Sequence, residues 1–271
     1  MATANFSLKG DVALVTGSSK GIGRAIATAF AEQGANLVIT ARGQGDLDVV
    51  KKEIEALGVQ CLAISADLSK DEDIVRLHKE ACDKFGMVNI LVNNAGAGDF
   101  VGIHDISRES FDFVMQVNTW APIYLAQLCF PAWKEKGEGR IVNIGSNGGV
   151  KPDPFMGAYS ASKAGVIIIT QQMAQEWAKY GVRANVINPG LVKTDLAEDL
   201  AAYLELMGNT QCMLRRGADP SEIAGMAVLL ASPAGSFCQG EMFNVDGGEI
   251  YRPTYDFSID EYTELKKELG R

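Results

Sequence analysis

Short β-branched runs recur along the chain between longer segments of helical periodicity: Val12 to Val15, Leu37 to Thr40, Cys61 to Ile64, Ile90 to Val92, Ile141 to Ile144, Ala184 to Ile187 and Met242 to Val245. Strands alternating with helices predict an α/β fold, a doubly wound parallel sheet of about seven strands with helices on both faces. Several of the runs are apolar throughout rather than alternating, as strands covered on both sides require. The pattern holds from residue 12 to residue 246 without a Pro/Ser-rich linker or a low-complexity break, which predicts one domain over residues 1–248. Two stretches depart from it. One, at about 191–217, is too long for a tight connection and rich in Leu and Met, and reads as a lid. The other is a C-terminal extension, 249–271, in which Ser258 to Glu261 has the form of a capping box. Tyr262, Leu265 and Leu269 follow at helical spacing and Gly270 is a plausible stop, so a short amphipathic helix is expected there.

Composition narrows the function. A chain of 271 residues that is 47% hydrophobic buries a large core. Its 25 Lys+Arg against 34 Asp+Glu leave a formal charge of -9, which disfavours a nucleic-acid partner because phosphate neutralisation needs clustered cations. The five cysteines are scattered without a C-x-x-C pair, arguing against a disulfide framework or a zinc site, and the two histidines, His78 and His104, lack a ligand pattern, so no metal is expected. The first residues lack a basic region followed by an apolar one, and no stretch is long and charge-free enough to span a bilayer. A soluble, cytoplasmic protein without a membrane partner is the expectation.

The first strand runs into Thr16-Gly17-Ser18-Ser19-Lys20-Gly21-Ile22-Gly23 and then a helical segment. Glycines at such a junction let the backbone turn sharply, approach a ligand closely and aim free amides from the helix N-terminus, where a pyrophosphate is the natural occupant. Glycines also make ordinary turns, so the motif needs company. In dinucleotide folds a carboxylate at the end of the second strand holds a ribose 2′-hydroxyl; here that place reads Thr40-Ala41-Arg42. Arg42, with Lys20 from the other side, could pair with a 2′-phosphate, or both could be solvated surface cations. The reading favours NADP(H), with NAD(H) as the alternative.

Tyr159-Ser160-Ala161-Ser162-Lys163 opens a strongly helical run, and a spacing of four puts the phenol and the ammonium on one helix face. A phenol is a poor proton shuttle at neutral pH, and a neighbouring ammonium lowers its pKa toward usefulness. By itself the spacing is common in helices. Upstream, the strand Ile141 to Ile144 ends at Gly145-Ser146, the edge where open parallel sheets present functional residues. Ser146 could donate to a substrate oxygen as it gains charge, or simply cap the loop.

Taken in order, these motifs resemble the short-chain dehydrogenase/reductases of the single-domain, Rossmann-like type, over about Lys9 to Gly248: Thr16 to Gly23, Asp67-Leu68, Asn93-Asn94-Ala95-Gly96, Asn118, Ser146, Tyr159 with Lys163, then Pro189-Gly190 and Thr194. The resemblance implies that Asn118, Ser146, Tyr159 and Lys163 are catalytic. It implies that Gly17, Ser19, Lys20, Gly21, Ile22, Gly23, Arg42, Asp67, Leu68, Asn94, Ala95 and Gly96 bind the cofactor. Pro189, Gly190, Val192 and Thr194 are implied to hold its nicotinamide end, with Tyr159 and Lys163 contributing as well. Asn118 is expected to hold a water linked to Lys163. Two departures stand out: Gly145 where the family often carries a second small hydroxyl residue, and Asn147-Gly148-Gly149 after the serine.

The resemblance further implies a homo-oligomer, a tetramer or a dimer, with the Tyr-bearing helix in a shared interface. The tail helix is expected to dock over a substrate pocket or across a subunit boundary. The activity expected is interconversion of a carbonyl and a secondary alcohol on a small-molecule substrate. A cofactor-binding regulator is the alternative from another class, disfavoured by the complete set of four residues. Leu196, Leu200, Tyr203, Leu204, Leu206, Met207 and Met213 either line a pocket for a hydrophobic substrate or bury the lid against the body.

Overall fold

The computed structural model describes residues 3–99, 101–194, 212–251 and 259–268. Its strands are β1 (Val12–Thr16), β2 (Asn36–Ala41), β3 (Cys61–Ser65), β4 (Ile90–Asn93), β5 (Gly139–Ile144), β6 (Val182–Pro189) and β7 (Met242–Val245). Every predicted run lies inside one of these strands. The seven form one sheet in the order β3-β2-β1-β4-β5-β6-β7, and each neighbouring pair is parallel.

The helices are α1 (Gly21–Glu32), α2 (Gln44–Glu55), α3 (Asp71–Phe85), α4 (Arg108–Met115), α5 (Ala121–Lys136), α6 (Gly157–Trp177), α7 (Pro220–Ala231) and α8 (Ile259–Glu268). Period-2 alternation divides the strands between two cores. Ala13 and Val15, with Leu37, Ile39 and Val142, pack with Ile26 and Phe30 of α1, Leu47 and Ile54 of α2 and Ile223 of α7. Val12, Leu14, Val38 and Ile141 point the other way, onto Leu77 of α3, Leu125 and Trp133 of α5 and Met173 of α6. Burial on both faces is the physical reason β1, β2 and β4 are predominantly apolar.

The chain runs outward in opposite directions from β1, through β2 to β3 on one side and through β4 on the other, so a crevice opens beyond the C-terminal ends of β1 and β4. No described helix is long and apolar enough to cross a membrane. The expected tail helix is present as α8, while its Ser258 cap, Leu269 and Gly270, and the side chains of Tyr262 and Leu265, lie outside the described residues. So do the lid residues Leu196, Leu200, Tyr203, Leu204, Leu206 and Met207.

Candidate active site

The glycine turn is built for a closely approaching ligand. Gly17 and Gly21 have φ of +64° and +56°, a left-handed conformation that side chains disfavour. A Cβ on Gly17 would come within 2.9 Å of both Ala95 Cα and Asn94 Nδ2. The first turn of α1 has neither a side-chain cap nor an acidic residue, whereas α7 begins with a capping box built from Asp219 and Glu222. The amides of α1 are thus left to an anion, the arrangement a dinucleotide pyrophosphate fits. Thr194 sits over this turn, its Cγ2 3.1 Å from where a Gly21 Cβ would lie.

Residues singled out as cofactor ligands turn out to shape the cradle as well. Asn94 Nδ2 donates to the carbonyls of Thr16 and Gly17 at 2.9 and 3.0 Å, and Thr16 Oγ1 accepts from the amides of Asn94 and Ala95, each at 3.0 Å. Ser18, which the sequence reading passed over in favour of Ser19, is fully buried; its Oγ donates to the Val15 carbonyl at 2.9 Å and accepts from the Thr40 amide at 2.9 Å. It therefore ties the turn to β2. Beyond β3, Asp67 accepts from the amide and hydroxyl of Ser69 at 3.0 and 2.8 Å, bonds that hold its carboxyl below the ordinary range with help from Lys70 and Arg42. Leu68 is buried beside it and Arg42 is exposed at the end of β2. Val192 is buried and pairs with Ala218, which places the strip after β6 next to the segment leading into α7.

The four candidate catalytic residues converge at the ends of β4 and β5. Asn118 lies in a π turn, Gln116–Trp120, that joins α4 to α5. Such a turn inserts one residue into the helical ladder and redirects a side chain. Its amide is almost fully buried: Nδ2 donates to the Ala97 carbonyl at 2.8 Å and to Ser162 Oγ at 2.9 Å, while Oδ1 accepts from the Ala97 amide at 2.7 Å. Ser162 Oγ in turn donates to the Tyr159 carbonyl at 2.6 Å. Asn118 thereby joins the loop after β4 to the first turn of α6.

Ser146 caps the 3-10 turn Asn147–Gly149, its Oγ accepting from the Gly148 amide at 3.1 Å. Its Oγ and Tyr159 Cε1 each lie 3.5 Å from where a Gly148 Cβ would stand, and burial pushes the phenol pKa up against the opposing influence of the nearby Ser146 hydroxyl. Lys163 is 4% exposed; its Nζ donates to the Ile144 carbonyl at 2.8 Å and lies 5.7 Å from the centroid of the Tyr159 ring. Burial drives its pKa down to about 8. Lys163 stands on the same helix face as Tyr159, but the expected lowering is not found: burial raises the phenol pKa and outweighs the nearby Ser146 hydroxyl. Gly96 completes the group, since a Cβ there would stand 3.5 Å from Asn118 Oδ1 and 3.6 Å from Lys163 Nζ.

The two sequence departures have packing reasons. A Cβ at Gly145 would collide with Asn188 Oδ1 and come 2.9 Å from Val186 Cγ2, so β6 requires glycine before the serine. A Cβ at Gly149 would meet the Lys163 carbonyl carbon at 2.7 Å, so this glycine lets the 3-10 turn rest on α6. Beneath the site runs a buried polar chain that the sequence reading missed: Asn93 Nδ2 to Asn143 Oδ1 at 2.8 Å, Asn143 Nδ2 to Thr170 Oγ1 at 2.7 Å, and Thr170 Oγ1 to the Val166 carbonyl at 2.6 Å. Its one sequence signal was an asparagine inside the otherwise apolar run of β5.

A doubly wound parallel sheet with an uncapped glycine turn at its switch point defines a dinucleotide-binding α/β protein. Residues 11–204 match the family described as short chain dehydrogenase, and the chain belongs to the short-chain dehydrogenase/reductases, oxidoreductases of carbonyl and CH–OH groups. It is 36% identical over 246 residues to a 3-oxoacyl-[acyl-carrier-protein] reductase of Synechocystis, covering 90% of this chain and 98% of that one. It is also 36% identical over 257 residues to the D-beta-hydroxybutyrate dehydrogenase of Cupriavidus necator, covering 90% of this chain and 99% of the relative. Among solved structures it resembles a 3-oxoacyl (acyl-carrier-protein) reductase from Agrobacterium tumefaciens C58 with NADP bound, with a TM-score of 0.85 and 33% identity over 90% of this chain and 96% of the other.

Proposed function

We propose that this chain is an NADP(H)-dependent oxidoreductase that interconverts a ketone and a secondary alcohol by hydride transfer, with Asn118, Ser146, Tyr159 and Lys163 as its catalytic set. The observation that carries the reading is the convergence of the Ser146 and Tyr159 side chains on Gly148, beside a buried Lys163. Two hydroxyls so placed can each donate to one carbonyl oxygen held between them. A bound nicotinamide dinucleotide supplies or accepts the hydride. Tyr159 gives its phenolic proton to the oxygen as charge develops there, and Ser146 holds that oxygen in place. Lys163 keeps a positive charge behind the phenol and offers its remaining N–H groups to the cofactor ribose. Asn118 holds the loop after β4 and the Tyr159 turn in register, at the end of the site where a water would connect Lys163 to solvent.

For the cofactor, the residues fit a phosphorylated ribose: β2 ends without a carboxylate, and Arg42 is exposed beside the Asp67 loop. NAD(H) remains the alternative. The names of the two curated relatives both concern carbon oxidised or reduced two bonds from a carboxyl or thioester carbon. The test is therefore a panel of 3-oxoacyl thioesters, 3-hydroxybutyrate, sugars, steroid ketones and cyclic ketones, each with NADPH and NADH, followed at the nicotinamide absorbance. Turnover with NADPH exceeding that with NADH is expected for at least one member, and absence of turnover throughout would overturn the reading. On the same substrate, Arg42→Ala should raise the KM for NADPH about tenfold or more, the worth of a charge-assisted contact, and leave that for NADH nearly unchanged.

The same reading makes the protein a homo-oligomer, a tetramer or a dimer, built on α5 and α6. Part of their apolar surface is internal, as in the stacking of Phe130 on Trp177 at 4.5 Å, but Ile168 of α6 stands 63% exposed and Trp120, in the π turn leading into α5, 38%. Light scattering on the purified protein measures the outcome; a monomer would refute it.

A further inference from the structure

Glu249 is the first residue of the C-terminal extension and, at 8% exposed, a buried carboxylate. It stands between the two strips that flank the candidate site. On one side its amide donates at 3.2 Å to the carbonyl of Asp246, the residue whose carboxyl holds the side chain of Asn147, next in the chain to Ser146; on the other, its Oε2 would lie 2.7 Å from a Cβ on Gly190. Asn147 is itself 4% exposed, and its main-chain carbonyl accepts from the amides of Val150 and Lys151 at 2.9 and 2.8 Å, so it anchors the turn that carries Ser146. Its Nδ2 donates to Asp246 Oδ2 at 3.1 Å, while its Oδ1 is buried without a hydrogen-bond partner. Such an acceptor costs about 1–3 kcal/mol if left so.

Asp246 has no capacity to supply the missing donor. Its Oδ1 accepts from the Gly248 amide at 2.9 Å, and its Oδ2 accepts from the Ile250 amide at 3.0 Å as well as from Asn147, a set that suits an ionised carboxylate. Glu249 is the neighbouring group that can carry a proton. We propose that Glu249 is a positioning residue whose carboxyl group, in its protonated form, donates to Asn147 Oδ1 and thereby holds the Ser146 turn against Gly190. Burial pushes its carboxyl above the ordinary range; Asp153 and Asp246 face it and act in the same direction, against the opposing Asn147 amide and Lys151. An acid-amide pair satisfies both groups, whereas an ionised Glu249 would leave Asn147 Oδ1 unpaired and add a charge beside two others.

This inference rests on the proposed function for its activity readout, so the test includes one that does not. Glu249→Gln keeps a donor at every pH, and Glu249→Ala removes it. Thermal melting of wild type and Glu249→Gln is measured from about pH 5 to about pH 9. A carboxyl whose folded pKa is raised costs nothing below its unfolded value, costs progressively more as pH rises from there to the folded value, and costs a constant amount above it. The Tm of Glu249→Gln should therefore match wild type at the acid end, exceed it increasingly as pH rises toward the folded value, and hold a constant excess above it. In parallel, kcat with the best substrate from the panel should fall about tenfold for Glu249→Ala at every pH. The same kcat should stay within about twofold of wild type for Glu249→Gln at acid pH and exceed wild type at alkaline pH. Parallel melting curves for wild type and Glu249→Gln, or an unimpaired Glu249→Ala, would overturn the assignment. Should no substrate turn over, the proposed reaction fails while the melting comparison still decides Glu249.

Discussion

Tyr159→Phe is expected to lower kcat by about a thousandfold while the affinity for the nicotinamide cofactor, read by equilibrium titration, changes by less than about threefold. The phenol is the group placed to pass a proton to the substrate oxygen, with the Ser146 hydroxyl near it. Phenylalanine keeps the ring in its half-buried place on α6, so the fold should be untouched and melting nearly unchanged. What it loses is the proton, and the alkoxide forming in the transition state then has only Ser146 to receive it. A variant that turns over as fast as the parent would show that the proton travels by another route. A variant with lost cofactor affinity would instead make Tyr159 a binding residue.

Lys163→Met should show opposite effects on activity and on stability. Activity is expected to fall about a hundredfold or more, because the positive charge behind the phenol and the donor to the ribose disappear together. Stability without cofactor should rise. Burial holds the ammonium from an ordinary 10.5 to about 8, which at ~1.4 kcal/mol per unit is a cost of roughly 3 kcal/mol for keeping it charged in the folded state. Losing the bond to the Ile144 carbonyl takes back about 1 kcal/mol, leaving a gain of a few degrees in Tm. The sign with pH follows from a folded value below the unfolded one. The gain is complete below about pH 8 and shrinks as pH rises toward the ordinary lysine value, where both states are neutral. A variant destabilised at neutral pH would mean that the Ile144 contact outweighs the desolvation. A fold stabilised by deleting a residue is the usual sign that the residue is kept for function.

The strands, their order in the chain and the glycine turn were legible from local pattern alone. Hydrophobic period, β-branching and glycine placement are properties of adjacent residues, and a parallel sheet buried on both faces makes them plain. The Tyr159–Lys163 pair was legible for the same reason, since one helix turn joins them. Partnerships between distant segments were not. Ser18 with Thr40, Asn143 with Thr170, Gly145 with Asn188 and Asn147 with Asp246 are joined across as many as about a hundred residues of chain, and nothing in the local composition marks them. The π turn that aims Asn118 is likewise invisible in a run that reads as continuous helix. What sets the phenol pKa was decided by packing: Lys163 Nζ is turned to the Ile144 carbonyl, and burial raises the phenol.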